Sequence, residues 1–213
     1  MKPRQLYPIF LDLRRRLVVV VGGGAVAERK VRGLLECGAE VRIVAPKATE
    51  EIEQLAADRR VEWLRREFHA ADVNHAFLVF AATNDAAVNT RVCQACDSHD
   101  IPVNRAESPE ASDFIVPATL RRGELAIAVS TGGASPHLGQ ILRDRLALQF
   151  GADYAAYVRI LETARREVME AVSDPKERQS ILRALAEDAE LLKTLQRDGE
   201  AKALERARAI SKS

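Results

Sequence analysis

LVVVVGGGAVAERK, from Leu17 to Lys30, is the stretch on which the fold turns. It opens with an unbroken apolar run, Leu17 to Val21, rich in β-branched residues. Such a run suits a strand covered on both faces, at the centre of a parallel sheet, rather than one half open to water. Gly22 to Gly24 break the strand, and Val31, Leu34 and Leu35 then recur at helical spacing until Gly38, a residue type that suits a left-handed C-cap. Strand, glycine turn and helix follow in order. Within the turn, Gly22-x-Gly24-x-x-Ala27 has the G-x-G-x-x-G/A spacing of a dinucleotide fingerprint. The first glycine makes the tight turn, the second lets backbone approach a pyrophosphate, and the small third residue packs helix on strand. The helix N-terminus then presents free N–H groups and a favourable dipole to the phosphates.

Outward from this unit the same grammar repeats. Val41 to Ala45 is a second strand closed by Pro46, Thr49 to Asp58 a short helix, Val61 to Leu64 a third strand and Ala76 to Ala82 a fourth, again a buried apolar run. A helix over Ala86 to His99 and a strand over Ile101 to Asn104 complete the alternation, which predicts βαβ units. The fingerprint's usual acid, which holds the ribose hydroxyls, is missing. The second strand ends Val44-Ala45-Pro46-Lys47, so backbone near Pro46 and Lys47 must contact the ribose, Lys47 tolerates a 2′-phosphate, and NAD against NADP stays open.

After residue 113 the pattern changes. Phe114 to Pro117 and Leu125 to Ser130, joined through Arg121-Arg122-Gly123, predict paired strands; Thr131-Gly-Gly-Ala-Ser-Pro136 leads into an amphipathic helix from His137 to Phe150. The remainder is helical, Tyr154 to Val172, a break at Ser173-Asp-Pro175, then leucine-spaced segments. From Asp153 onward 12 basic and 12 acidic residues alternate along polar faces, which favours solvated bundle helices over a basic arm.

Composition narrows the function classes. The 213 residues are 47% hydrophobic and 30% charged, which fits a soluble globular chain, and 32 Lys plus Arg against 31 Asp plus Glu leave +1, no global field to gather nucleic acid or anionic lipid. No apolar run approaches the roughly 20 residues that span a bilayer, and Met1 to Arg16 lacks a secretory apolar stretch, so a cytoplasmic protein is expected, with no membrane and no nucleic acid as partners. Cys37, Cys93 and Cys96 are expected as reduced thiols. Cys93-x-x-Cys96 with His99 lacks the second ligand pair of a closed zinc site, so no metal site is expected.

Separate stretches then converge on one family. Leu6-Tyr-Pro-Ile-Phe-Leu-Asp-Leu13, the Gly22 to Lys30 turn, Ala81-Ala-Thr-Asn-Asp85 with Val88-Asn89, Asp113-Phe-Ile-Val-Pro117 and Ala128-Val-Ser-Thr-Gly-Gly-Ala-Ser-Pro136 stand in an order that resembles the precorrin-2 dehydrogenases, both stand-alone enzymes and the N-terminal module of multifunctional sirohaem synthases. The resemblance covers essentially the whole chain. It implies an α/β fold: a Rossmann-like NAD-binding domain over 1–113, a small α+β dimerisation segment over 114–150 and a C-terminal helical domain over 151–213, assembled as a homodimer. It also implies oxidation of precorrin-2, a tetrapyrrole with eight carboxylates, to sirohydrochlorin by hydride transfer to NAD with proton loss; some members also insert Fe²⁺.

Carried over by position, the resemblance places nucleotide contacts at Gly22, Gly24, Ala25, Val26, Pro46, Lys47, Thr83 and Asn84. The family's catalytic Asp falls at Glu107, which keeps the charge with one more methylene; the competing reading is a solvated loop glutamate. Asp113 is the other nearby carboxylate, either catalytic or fixing the backbone before Phe114. Thr131, Gly132, Gly133 and Ser135 are placed to bind substrate carboxylates, and Ser135 before Pro136 also reads as a helix N-cap. Arg105, Arg121 and Arg122 have the fork geometry for carboxylates, although Arg121-Arg122-Gly123 also reads as a charged turn; His137 is a candidate base or metal-delivery ligand. Two other functions stand beside this one: a nucleotide-sensing regulatory module, which needs no STGGASP loop, and a chelatase-only homologue that has lost dehydrogenation through Glu107.

Overall fold

The computed structural model describes residues 5–106 and 111–211. Two compact units divide the chain, Met1–Val116 and Pro117–Ser213. In the first, β1 (Leu17–Val21), β2 (Glu40–Val44), β3 (Glu62–Leu64), β4 (Leu78–Ala81) and β5 (Val103–Arg105) form one parallel sheet in the order β3-β2-β1-β4-β5. Helices α1 (Ala25–Glu36), α2 (Glu50–Ala57) and α3 (Ala86–Asp97) and a 3-10 turn, Ala70–Val73, connect the strands. β1 lies in the middle, with Val20 beside Ile43 of β2 and Phe80 of β4.

The valine run is divided between two cores by the period-2 alternation of a strand. Val18 and Val20 pack with Ala27, Val31 and Leu34 of α1 and Ile52 of α2. Val19 and Val21 pack on the opposite face with Phe68, Val73 and the α3 residues Val92, Cys93 and Cys96. All four are at most 1% exposed, so each contributes on the order of 1.5–3 kcal/mol. That burial explains why the run carries no polar residue. The order places the switch in strand sequence between β1 and β4, where open α/β sheets bind ligands at the carboxyl ends of the strands.

One expected strand is absent: Phe114 to Pro117 lies outside any strand. Phe114 packs in the first unit instead, its ring edge-on to Phe80 at 5.3 Å, and its carbonyl accepts from Asn104 Nδ2 at 2.8 Å. Pro117 has no N–H to give to a ladder. The hairpin therefore starts later, with β6 (Ala118–Arg122) antiparallel to β7 (Leu125–Val129) about Gly123, at φ +58°. α4 (Pro136–Gln149) packs on that hairpin, where Gly139 is buried and a Cβ would stand 3.6 Å from Val129 O. α5 (Tyr154–Ala171), α6 (Pro175–Glu187), α7 (Ala189–Asp198) and α8 (Glu200–Ile210) follow, with a core of Ile160, Ala164, Leu185, Leu191, Leu195, Ala203 and Ala207. Pro175 opens α6 after Asp174, whose carboxylate caps it through the Glu177 N–H at 3.1 Å. No described helix is long and apolar enough to cross a membrane.

Candidate functional site

The glycine turn is tight for reasons its spacing only half reveals. Gly22 sits at φ +128°, and a Cβ there would lie 2.3 Å from Ala82 O. Gly23, which the fingerprint leaves unspecified, is more crowded: a Cβ would stand 2.1 Å from Lys47 O. Its own carbonyl accepts from the Thr49 N–H at 2.9 Å, tying the turn to the segment beyond β2. Gly24 is the opposite case, with nothing beyond its neighbours along the chain within 4 Å of where a Cβ would be. Space at Gly24 is open to a ligand. Ala27 is fully buried against the sheet, as a small third residue should be.

α1 begins at this opening without a side-chain cap, and its first intrahelical bond of the i to i−4 kind runs from Glu28 N–H to Gly24 O at 3.0 Å. The N–H groups of Ala25, Val26 and Ala27 precede that bond, so the helix end can receive an anion. Across from it, the β4 end is locked. Buried Asn89 donates from Nδ2 to Thr83 O at 3.0 Å and accepts from the Thr83 hydroxyl at 2.8 Å, while Asp85 caps α3 by accepting from Ala87 N–H at 2.8 Å and Val88 N–H at 3.2 Å.

Gly22, Gly24, Ala25, Val26, Pro46, Lys47, Thr83 and Asn84 all line one cavity of about 790 Å³, a size that suits a large organic ligand. The Gly24 opening, the uncapped helix end and this volume fit a dinucleotide. Glu67, Phe68, Val88 and Arg91 line the same cavity and were not marked by the fingerprint. The loop after β3 brings in the first two. Arg66 bonds Asp72 bidentately at 2.8 and 2.6 Å and donates to Glu67 O at 2.9 Å. Burial works to raise the Asp72 carboxyl, but Arg66 and the His69 N–H outweigh it and hold the group below the usual carboxylate range.

The other candidates are distributed as follows. Glu107 lies outside the described residues. Asp113 clamps β5, its carboxylate accepting from Val103 N–H at 2.8 Å and its N–H donating to Val103 O at 2.9 Å. Ser112 Oγ accepts from Arg105 N–H at 2.8 Å, so the strand end is fixed from the chain that follows it. The Arg105 guanidinium donates from Nε to Cys93 Sγ at 2.7 Å. Burial pushes the Cys93 thiol up and that of Cys96 to about 12, which leaves neither a reactive thiolate at neutral pH. Among the described residues no three His, Cys, Asp or Glu side chains gather as a metal set.

In the second unit, the Thr131 hydroxyl accepts from Ser135 N–H and donates to Ser135 O, both at 3.0 Å, and Ser135 Oγ accepts from Leu138 N–H at 3.2 Å as the cap of α4. Gly132 and Gly133 hold φ of +64° and +92° with open space at their Cβ positions. Arg122 donates from Nε to Phe150 O at 3.1 Å, whereas Arg121 is exposed. His137 is exposed beside Gln140.

Comparison with known proteins follows this division. Residues 9–118 match the family described as "Putative NAD(P)-binding", and residues 122–148 match that described as "Sirohaem biosynthesis protein central". A "Siroheme synthase" of Neisseria meningitidis serogroup C (strain 053442) is 43% identical over 140 residues, 66% of this chain and 29% of that protein. A "Siroheme synthase" of Thioalkalivibrio sulfidiphilus is 37% identical over 203 residues, 94% of this chain and 42% of that protein. The chain thus spans less than half the length of these relatives. The solved structure of SirC, precorrin-2 dehydrogenase, superposes with a TM-score of 0.78 at 29% identity, covering 96% of this chain and all of that one.

Proposed function

This chain belongs to the NAD(P)-binding family represented by the N-terminal module of the sirohaem synthases and by precorrin-2 dehydrogenase, and we propose that it oxidises precorrin-2 to sirohydrochlorin with NAD⁺ as acceptor. The observation that carries the proposal is the open Gly24 position at the uncapped start of α1, facing a cavity of about 790 Å³ at the carboxyl ends of β1, β2 and β4. When bound, NAD⁺ supplies the nicotinamide carbon that accepts the hydride.

The chain's own residues bind, orient and move a proton. Gly24 and the N–H groups of Ala25 and Val26 would hold the pyrophosphate, Pro46 and Lys47 would meet the adenosine side, and Thr83 and Asn84 would take the side toward β4, all of them lining the cavity. Glu107 receives the proton lost as the hydride leaves, so two electrons and two hydrogens depart from the tetrapyrrole and charge balances. It follows Ala106, whose N–H donates to Ala81 O at 3.0 Å, so the chain is anchored beside β4 just before the catalytic position. Asp113 acts by position, holding β5 through Val103. Substrate carboxylates are received in the second unit by Arg121, Arg122, Thr131, Gly132, Gly133 and Ser135, and in the first by the part of the Arg105 guanidinium not given to Cys93.

The proposal includes the three-part division at 113 and 150 and a homodimer formed through the middle segment. Support for the dimer comes from α4, where Leu138, Ile141 and Leu148 are 46%, 48% and 89% exposed and share one stripe at roughly 100° per residue. Light scattering that finds a monomer at micromolar concentration refutes it. Fe²⁺ enters the proposal as a second substrate, inserted into the product.

Anaerobic incubation with precorrin-2 and NAD⁺, followed by sirohydrochlorin absorbance, tests the activity, and later addition of Fe²⁺ tests insertion. Glu107→Ala is expected to lose turnover by roughly 100-fold or more while still binding NAD⁺. Unchanged turnover removes Glu107 from the mechanism; no oxidation by folded, NAD⁺-bound wild-type protein overturns the reading.

A further inference from the structure

The nucleotide contacts assigned above leave the adenosine ribose without an acidic partner, because β2 runs out through Ala45-Pro46-Lys47. The cavity has a carboxylate on the neighbouring strand's loop. β3 lies parallel to β2 with Leu64 beside Val44, and Ala45 N–H donates to Leu64 O at 3.2 Å, so the loop leaving β3 emerges next to Pro46 and Lys47. Glu67 on that loop lines the cavity.

The loop is held on both sides of Glu67. Before it, Arg66 N–H donates to Leu64 O at 2.8 Å, and its guanidinium grips both oxygens of Asp72 and the Glu67 carbonyl. After it, Phe68 is buried in the core against the α3 side of the sheet, and His69 N–H donates to Asp72 at 2.8 Å. Asp72 itself is 5% exposed. Glu67 is exposed between these anchors, and among the described residues its carboxylate has no cation within ion-pair distance. The other acid lining the cavity, Asp85, is occupied by the N–H groups of Ala87 and Val88.

Building on the dinucleotide reading above, we infer that Glu67 accepts hydrogen bonds from the adenosine ribose hydroxyls and thereby selects NAD⁺ over NADP⁺, with Arg66 and Asp72 as positioning residues. A carboxylate accepts from two vicinal hydroxyls in charge-assisted bonds and repels a 2′-phosphate. Lys47 and Arg91, the cations lining the cavity, attract the pyrophosphate that both dinucleotides share, so they raise affinity for each without removing the difference that Glu67 makes.

Titration calorimetry on the full chain tests this with NAD⁺, NADP⁺, ADP and adenosine 2′,5′-bisphosphate, the last two isolating the adenosine half. Wild type is expected to prefer NAD⁺ by about tenfold or more, and Glu67→Gln to weaken NAD⁺ and ADP by about tenfold while NADP⁺ is held or tightened. Asp72→Asn is expected to lower the NAD⁺ to NADP⁺ preference roughly threefold, a ratio that loss of stability alone does not move. NAD⁺ binding with the preference unchanged in Glu67→Gln, or wild type that favours NADP⁺, overturns the Glu67 assignment and leaves the dehydrogenase reading standing. Failure of wild type to bind any dinucleotide overturns both.

Discussion

Two glycine-rich loops, each leading into a helix, behave in opposite ways in this chain. Gly22 to Gly24 precede α1, and Thr131 to Ser135 precede α4. In the first, backbone crowds Gly22 and Gly23 to within 2.3 and 2.1 Å of a Cβ, while the helix end is left without a side-chain cap. In the second, the glycines have open space, and the helix end is closed by Ser135 with Pro136 at its first turn. Glycine content alone therefore does not mark a pyrophosphate site at a helix start. The difference lies in where the N–H groups of the following helix go: the α1 start keeps them for a ligand, and the α4 start bonds one to its own cap.

The sharpest way to break this contrast is Gly23→Ala. The new methyl collides with the Lys47 carbonyl, which is backbone and cannot swing aside as a side chain can, so a loss of about 3 kcal/mol or more is expected in urea unfolding. A stable Gly23→Ala protein means that the turn is looser than its geometry. Gly24→Ala sharpens the contrast from the other side. Its φ of −86° suits alanine and nothing occupies the space, so stability is expected to hold while NAD⁺ affinity falls by about tenfold, read by calorimetry. Equal affinity would place the pyrophosphate elsewhere. Ser135→Ala is the smallest: loss of the cap of α4 is expected to cost about 1 kcal/mol in thermal unfolding with NAD⁺ affinity unchanged. If NAD⁺ binding weakens instead, the two loops share a ligand and the contrast fails.

Local pattern made much of the first unit legible. β1 and β4 follow from apolar runs, because a strand buried on both faces must be apolar throughout, and the alternation of strand and helix signals around them marks the other three strands and the helices. The fingerprint marked Gly22, Gly24 and Ala27, which the structure shows as a crowded turn at positive φ, an open position and a fully buried contact. It passed over Gly23, whose constraint comes from Lys47, beyond the next strand. Phe114 was misplaced for the same kind of reason: its apolar neighbours resemble a strand, but its partner is Phe80 on β4. Glu67 and Arg91 carry no local signal, since nothing within a few residues of either distinguishes it.

The sequence by itself determined the alternation of strands and helices, the glycine turn and the change of grammar after residue 113, because each is written in residues close together along the chain. Tertiary structure alone decided which glycine is crowded and which is open, that the Arg105 guanidinium turns to Cys93, and that a loop from β3 brings Glu67 to the cavity beside Lys47. Those outcomes depend on crossovers that bring distant strands to one edge, and the distances they create have no local signature.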